Sequence, residues 1–218
     1  MRLRLREHRP RLDGRVHRVL QPRSPLEQTV LADVVGRWTP LVGDQDGLAR
    51  LAALFALAAR SRFSVLYVPL RQNRKLADWA FAANALDLVL VHHSLGLRRS
   101  AWPELRRRLG TGRPITVDTD EHRWQHVRLT AERWTHADFR DRLLPAAHAE
   151  TLFLAGSRPV FRDAAGELAW AAGNGHRHRR GRRGLPVGLT SLTPLVEPRA
   201  GRELDVVYLD TRAGRSLR

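Results

Sequence analysis

The sequence predicts an α/β fold: a mostly parallel, Rossmann-like three-layer sheet with a β-rich C-terminal extension. Three observations predict it. Short apolar runs at 63–68, 87–91 and 114–117 are separated by helix-length segments, and strands alternating with helices imply parallel crossovers. Each run stops at reactive side chains: Arg71, Gln72 and Asn73; His92, His93 and Ser94; Asp118, Asp120, Glu121 and His122. After Pro145 the helical period gives way to short runs at 151–155, 158–162 and 167–171, which read as an antiparallel meander. If the first three runs are adjacent parallel strands, their clusters meet at one carboxyl edge, where open α/β sheets bind ligands.

The elements follow in chain order. Arg2, Leu3, Arg4, Leu5 and Arg6 alternate, and Asp13-Gly14 is a tight-turn signal, so residues 1–23 read either as a β-ribbon with an arginine face or as an irregular basic arm. Leu26, Val30, Leu31, Val34 and Val35 recur at helical spacing and end near Pro40. A second, apolar helix covers 48–60. The strand at 63–68 leads into a helix over 74–86, with Asn73 as its N-cap. The strand at 87–91 leads into a short helix from Ser100 to Leu109, whose first turn tolerates Pro103. Thr135 starts a helix that Pro145 breaks, and 203–209 is a last strand. The divisions are a basic arm and helix at 1–44, an α/β core at 45–150 and a β-rich segment with a basic loop at 151–218. At 218 residues these fit one structural domain.

Composition narrows the classes. An apolar fraction of 43% and a charged fraction of 28% suit a packed globular chain. No apolar run approaches the roughly 18–20 residues that span a bilayer. The N-terminus lacks a secretory apolar stretch, and the expected location is the cytoplasm. Cysteine is absent, which removes disulfides, thiolate catalysis and Cys-ligated metal. The formal net charge is +16, an excess that attracts polyanions, nucleic acid first among them. Lys75 is the sole lysine, so codon usage of a GC-rich genome accounts for arginine over lysine. It does not account for the shortage of Asp and Glu.

Four constellations carry candidate chemistry. Asp118, Asp120, His122 and His126 combine carboxylates and imidazoles suited to Mg²⁺, Mn²⁺ or Zn²⁺. The competing reading is a polar turn that caps a helix. His92, His93 and Ser94 close the central strand, where a histidine beside a serine supplies a base and a nucleophile. Sequence adjacency does not make a catalytic pair, and no Gly-x-Ser-x-Gly elbow is present. Arg71, Asn73 and Arg74 stand at a helix start and fit a phosphate, without the glycine-rich loop of standard nucleotide sites. Arg177, Arg179 and Arg180 belong to a Gly-flanked basic run that suits nucleic-acid phosphate.

The expected function is therefore that of a nucleic-acid-acting protein, with a metal-dependent phosphodiester or nucleotidyl enzyme on RNA or single strands as its catalytic form. Asp118, Asp120, His92, His93 and Ser94 would then do the chemistry. The alternatives are a small-molecule enzyme using the same cleft and a non-catalytic Rossmann-like binding or regulatory module.

Overall fold

The computed structural model describes residues 1–34, 37–73, 84–119, 141–177 and 187–210. Among them are thirteen strands and three α-helices, arranged in two larger sheets and one two-stranded hairpin.

The large sheet has seven strands in the order β10-β11-β8-β7-β4-β1-β9. These are β1 (Arg2–His8), β4 (Arg18–Pro22), β7 (Ser64–Val68), β8 (Asp87–His92), β9 (Arg113–Asp118), β10 (Leu144–His148) and β11 (Thr151–Gly156). Only β11/β8 and β4/β7 pair in parallel; β7/β8, β1/β4, β1/β9 and β10/β11 are antiparallel. The mostly parallel Rossmann-like expectation is thus overturned. The runs at 63–68 and 87–91 are adjacent but antiparallel, and the run at 114–117 lies at the far edge beside β1.

The physical reason is coverage. Continuous apolar runs mark a strand that is buried on both faces, and parallel strands are the common case. Here β7 is buried throughout because helices cover both faces of a mixed sheet. The N-terminal segment supplies the strands that separate β7 from β9. Its alternation is a true strand period, with Leu3 and Leu5 buried and Arg2, Arg4 and Arg6 exposed. Asp13 and Gly14 both take positive φ, 48° and 74°, in the turn joining β2 (Arg11–Leu12) to β3 (Arg15–Val16), as a two-residue hairpin requires.

The smaller sheet has the order β12-β13-β6-β5, from β5 (Thr29–Leu31), β6 (Trp38–Gly43), β12 (Val187–Ser191) and β13 (Glu203–Tyr208). The helix expected over 26–35 is replaced by β5, where all three residues are buried. Strands from all three sequence segments share the large sheet.

Helices α1 (Gln45–Arg60) and α3 (Arg158–Asn174) lie between the two sheets, in one core that includes Leu5, Leu66 and Leu90 from one sheet and Leu41, Leu204 and Val206 from the other. A helix enclosed by two sheets is apolar nearly all round, as the Leu48–Ala59 stretch is. Phe55 and Phe161 meet edge to face across the helix pair at 6.0 Å. The meander expected at 158–171 is instead α3. Val160, Phe161, Ala164, Ala165, Leu168, Ala171 and Ala172 bury at three- and four-residue spacing, and the Asp163–Gly166 stretch that resembled a turn is inside the helix.

The opposite face of the large sheet carries α2 (Trp102–Arg107), with Pro103 in its first turn. Trp102 is fully buried, edge-on to Tyr67 at 5.1 Å and to Phe153 at 6.0 Å. No helix among the described residues is long and apolar enough to cross a membrane.

Candidate functional site

Strand direction decides which side chains meet. β1, β8 and β11 run one way; β4, β7, β9 and β10 run the other. One edge of the large sheet therefore collects the ends of β1, β8 and β11 with the starts of β4, β7, β9 and β10. His92, His93 and Ser94 emerge there. Arg71 and Asp118 follow β7 and end β9 at the other edge. Asp118 is also four strands from His92, about 19 Å at the usual strand spacing. The anticipated convergence of His92, Asp118 and Arg71 does not occur.

Each of these residues has a local role. Asp118 pairs with Arg2 at 3.2 Å, both side chains 72% exposed, a surface pair of little energetic weight. Arg71 is held by Asp87: its backbone N–H and Nε donate to that carboxylate at 3.0 and 3.2 Å, and its guanidinium also pairs with Glu150. The Tyr67 hydroxyl donates to Asp87 at 3.0 Å, and the Arg106 guanidinium donates to the same carboxylate at 3.4 Å. Burial, with Asp87 beside it, pushes the Tyr67 hydroxyl pKa well above its ordinary range. Arg71 is thus the counter-ion of a buried acid rather than a phosphate grip. Asn73 is buried too, and its amide donates to the Leu26 and Thr29 carbonyls at 2.6 and 2.7 Å. Arg177 is exposed at the end of a single 3₁₀ turn (Gly175–Arg177) after α3. Arg74, Asp120, His122, His126, Arg179 and Arg180 lie outside the described residues. Among the described residues no three His, Asp or Glu side chains are grouped to hold a metal.

His92 and Ser94 do meet. The Ser94 Oγ is 2.7 Å from His92 Nδ1, and the Ser94 backbone N–H donates to the same nitrogen at 3.2 Å. A backbone N–H only donates, so Nδ1 keeps its lone pair and a neutral ring carries its proton on Nε2. This is the cap of the 3₁₀ turn His93–Leu95. Burial, then the neighbouring His93 and Arg62, hold the His92 pKa below its usual value. The two rings lie 4.4 Å apart, tilted by 42° to one another.

What gathers around this turn is positive charge. Moving across the sheet from β10 to β9, the strand ends present Arg142, Arg158, the His92–His93 pair, Arg62, Arg18, Arg9 and Arg113. Arg62 Nε reaches Ser94 Oγ at 3.4 Å, and Arg18 reaches Ser64 Oγ at 3.2 Å, so side chains tie one strand end to the next. Three carboxylates belong to this edge: Asp13 in the exposed β2–β3 turn, Asp141 and Glu7. Asp141 accepts from Ser157, the N-cap of α3. Glu7 is 4% exposed and accepts from Arg18 and Arg113 at 2.7 Å each and from Arg9 at 3.1 Å. Hydrogen bonds from Arg18 and Arg113 bring its pKa to about 2 against the opposing effect of burial. One carboxylate that fixes three guanidiniums leaves the cluster with two positive charges.

Apolar exposure concentrates at the same edge. The large hydrophobic side chains left exposed among the described residues are Val16 at 54%, Phe63 at 75% and Leu144 at 50%. Val16 precedes β4, Phe63 precedes β7 and Leu144 starts β10, so all three stand at the cationic edge. The sequence reading missed Glu7, Arg62 and Phe63. The basic segment at 15–18 was visible, but which arginines share an edge depends on strand order.

No protein-family model matches this chain, and it matches no curated protein and no solved structure.

Proposed function

We propose that the protein binds nucleic acid, with its phosphates along the cationic edge of the seven-stranded sheet. The observation that carries this reading is the row itself: six arginines at six of the seven strand ends, against three carboxylates, one of which is already shared by three of them. From β11 to β9 the row crosses five strand spacings, about 24 Å, and single-strand-binding grooves of this kind cover roughly 4–16 nucleotides. Val16, Phe63 and Leu144 add exposed apolar surface at the same basic edge. The Ser94–His92 contact is a turn cap, so the reading is one of binding and includes no reaction step. A cytoplasmic location goes with it.

The test is salt-dependent affinity for an oligonucleotide, measured by anisotropy on the wild type and on an Arg62→Gln/Arg113→Gln variant. The wild type should bind with a steep negative slope of log K against log salt. The double variant should lose about tenfold in affinity, and its slope should flatten by about 1.4, two phosphates at roughly 0.7 each for a single strand. Arg113→Gln removes one of the three partners of Glu7, so melting should fall modestly, and affinity is compared at a temperature where both chains are folded. A wild type that shows no salt-dependent binding removes the reading.

A further inference from the structure

The cationic edge contains one feature that charge does not explain. Phe63 is 75% exposed, and the other Phe, Tyr and Trp side chains among the described residues are buried or partly buried. It lies immediately before β7, near the middle of the arginine row. Arg62 precedes it and Ser64, the partner of Arg18, follows it. Arg62 also spans to Ser94, which holds the loop before β7 against the turn of His92 and His93. An exposed ring, a tilted pair of imidazoles in contact and a guanidinium thus occupy neighbouring strand ends.

We infer that this edge selects unpaired nucleic acid, with one base stacked on Phe63 and an adjacent base on His93. The inference rests on the nucleic-acid reading above and names its substrate class. A base in a duplex already has both faces covered by its neighbours, whereas an unpaired base offers a free face to an aromatic ring. Stacking tolerates any base, so little sequence preference is expected. Phosphates flanking the stacked bases meet Arg62 and Arg18 on one side and Arg158 on the other. An anionic membrane is the competing partner for a basic surface with apolar members. The one-dimensional order of the cations and the aromatic nature of the central exposed residue favour a strand over a bilayer.

The experiment compares oligo-uridylate, a duplex of equal nucleotide count and phosphatidylserine vesicles as probes for four chains: wild type, Phe63→Ala, Phe63→Leu and Phe63→Trp. Phe63 is exposed, so all four should melt alike. Wild type should prefer the single strand. Phe63→Ala and Phe63→Leu should each lose about tenfold in single-strand affinity, within the range found for removing one stacked base, and change duplex affinity less than about twofold. Phe63→Trp should retain or gain affinity. The salt slope should be the same in all four, because no charge is altered. Equal losses on single strand and duplex, wild-type behaviour of Phe63→Leu, or tighter binding to vesicles than to oligo-uridylate would each overturn the inference. If the wild type binds no oligonucleotide, the broader reading fails instead. If it binds with a steep salt slope and Phe63 has no influence, only the stacking inference fails.

Discussion

The two edges of the large sheet are built from the same seven strands, yet the arginines around the buried carboxylate are mostly covered at one and largely exposed at the other. At the Asp87 edge, Glu150 and Asp118 also stand with Arg71, Arg2 and Arg23, and Arg106 reaches in from α2. Its central carboxylate is buried, and its donors arrive from β7, the loop after it and α2. At the cationic edge most of the guanidiniums are exposed. The first arrangement ties strands and helix together; the second leaves net positive charge at the surface, on which the proposed binding rests. The difference teaches that a chain's total charge of +16 is less informative than where strand order places it.

Three substitutions sharpen this contrast. The largest effect belongs to the Asp87 edge. Asp87→Ala strands Arg71, Arg106 and the Tyr67 hydroxyl around a buried void, and should cost about 3–5 kcal/mol in urea unfolding, as expected for one partner removed from a buried pair. Oligonucleotide affinity in the folded protein should hardly change. If it falls as steeply as stability does, the two edges are not separate in role.

A smaller effect is expected from Glu7→Gln at the cationic edge. Arg9 and Arg113 have side chains 65% and 74% exposed, so solvent screens the cluster, and the loss should be about 1–2 kcal/mol. Its pH signature is specific. The Glu7 pKa is depressed in the folded protein, so its contribution is complete above the unfolded carboxylate value of about 4.3 and is lost as pH falls toward about 2. An acid titration of stability should therefore be shallower in the variant over that window. The same variant should bind oligonucleotide more tightly, since three guanidiniums lose their shared anion. Weaker binding would show that Glu7 serves by orienting the arginines, a different design for the same edge.

The smallest effect is at His8, which ends β1. The residue is 5% exposed, and neither ring nitrogen makes a hydrogen bond of normal geometry, though the Gly110 backbone and the Gln21 side chain act on the ring. Gly112, at φ 68°, lies so close that an added Cβ would fall 2.6 Å from the ring, which fixes glycine at that turn. Burial, then Arg6, lowers the His8 pKa, so stability is complete above the unfolded value of about 6.5 and declines as pH drops below it. His8→Phe should leave stability at neutral pH within about 1 kcal/mol, because it removes two unsatisfied buried atoms. It should also flatten the decline in melting temperature below that pH. An unaltered pH profile would assign the titration to His92.

Local period was legible in the sequence, and long-range pairing was not. The runs at 63–68, 87–91 and 114–117 are strands, and 48–60 is helical, because apolar spacing reports burial within a short window. Strand direction depends on which distant segment supplies the neighbour. Nothing within 63–68 discloses that Val19 and Leu20 will lie beside it. The candidate site failed for the same reason: Arg71 and Asp118 stand at strand ends as expected, but β8 runs opposite to β7 and β9, which sends His92 to the other edge. Arg71 looked like a phosphate ligand because its partner, Asp87, read only as the first residue of a strand. The helix over 158–174 was concealed by glycine and by Asp163, which normally punctuate turns but are buried here.

The position of β1 has a consequence for biosynthesis. Arg2 bonds to Asp118 across a separation of 116 residues, so the outer edge of β1 has no neighbour until more than a hundred further residues have been made. A nascent hairpin with an open edge and buried-type leucines is a template for pairing with other chains. Arg2, Arg4 and Arg6 alternate with those leucines along that same edge, and charges interleaved in this way discourage such pairing while the ribosome completes the remaining strands.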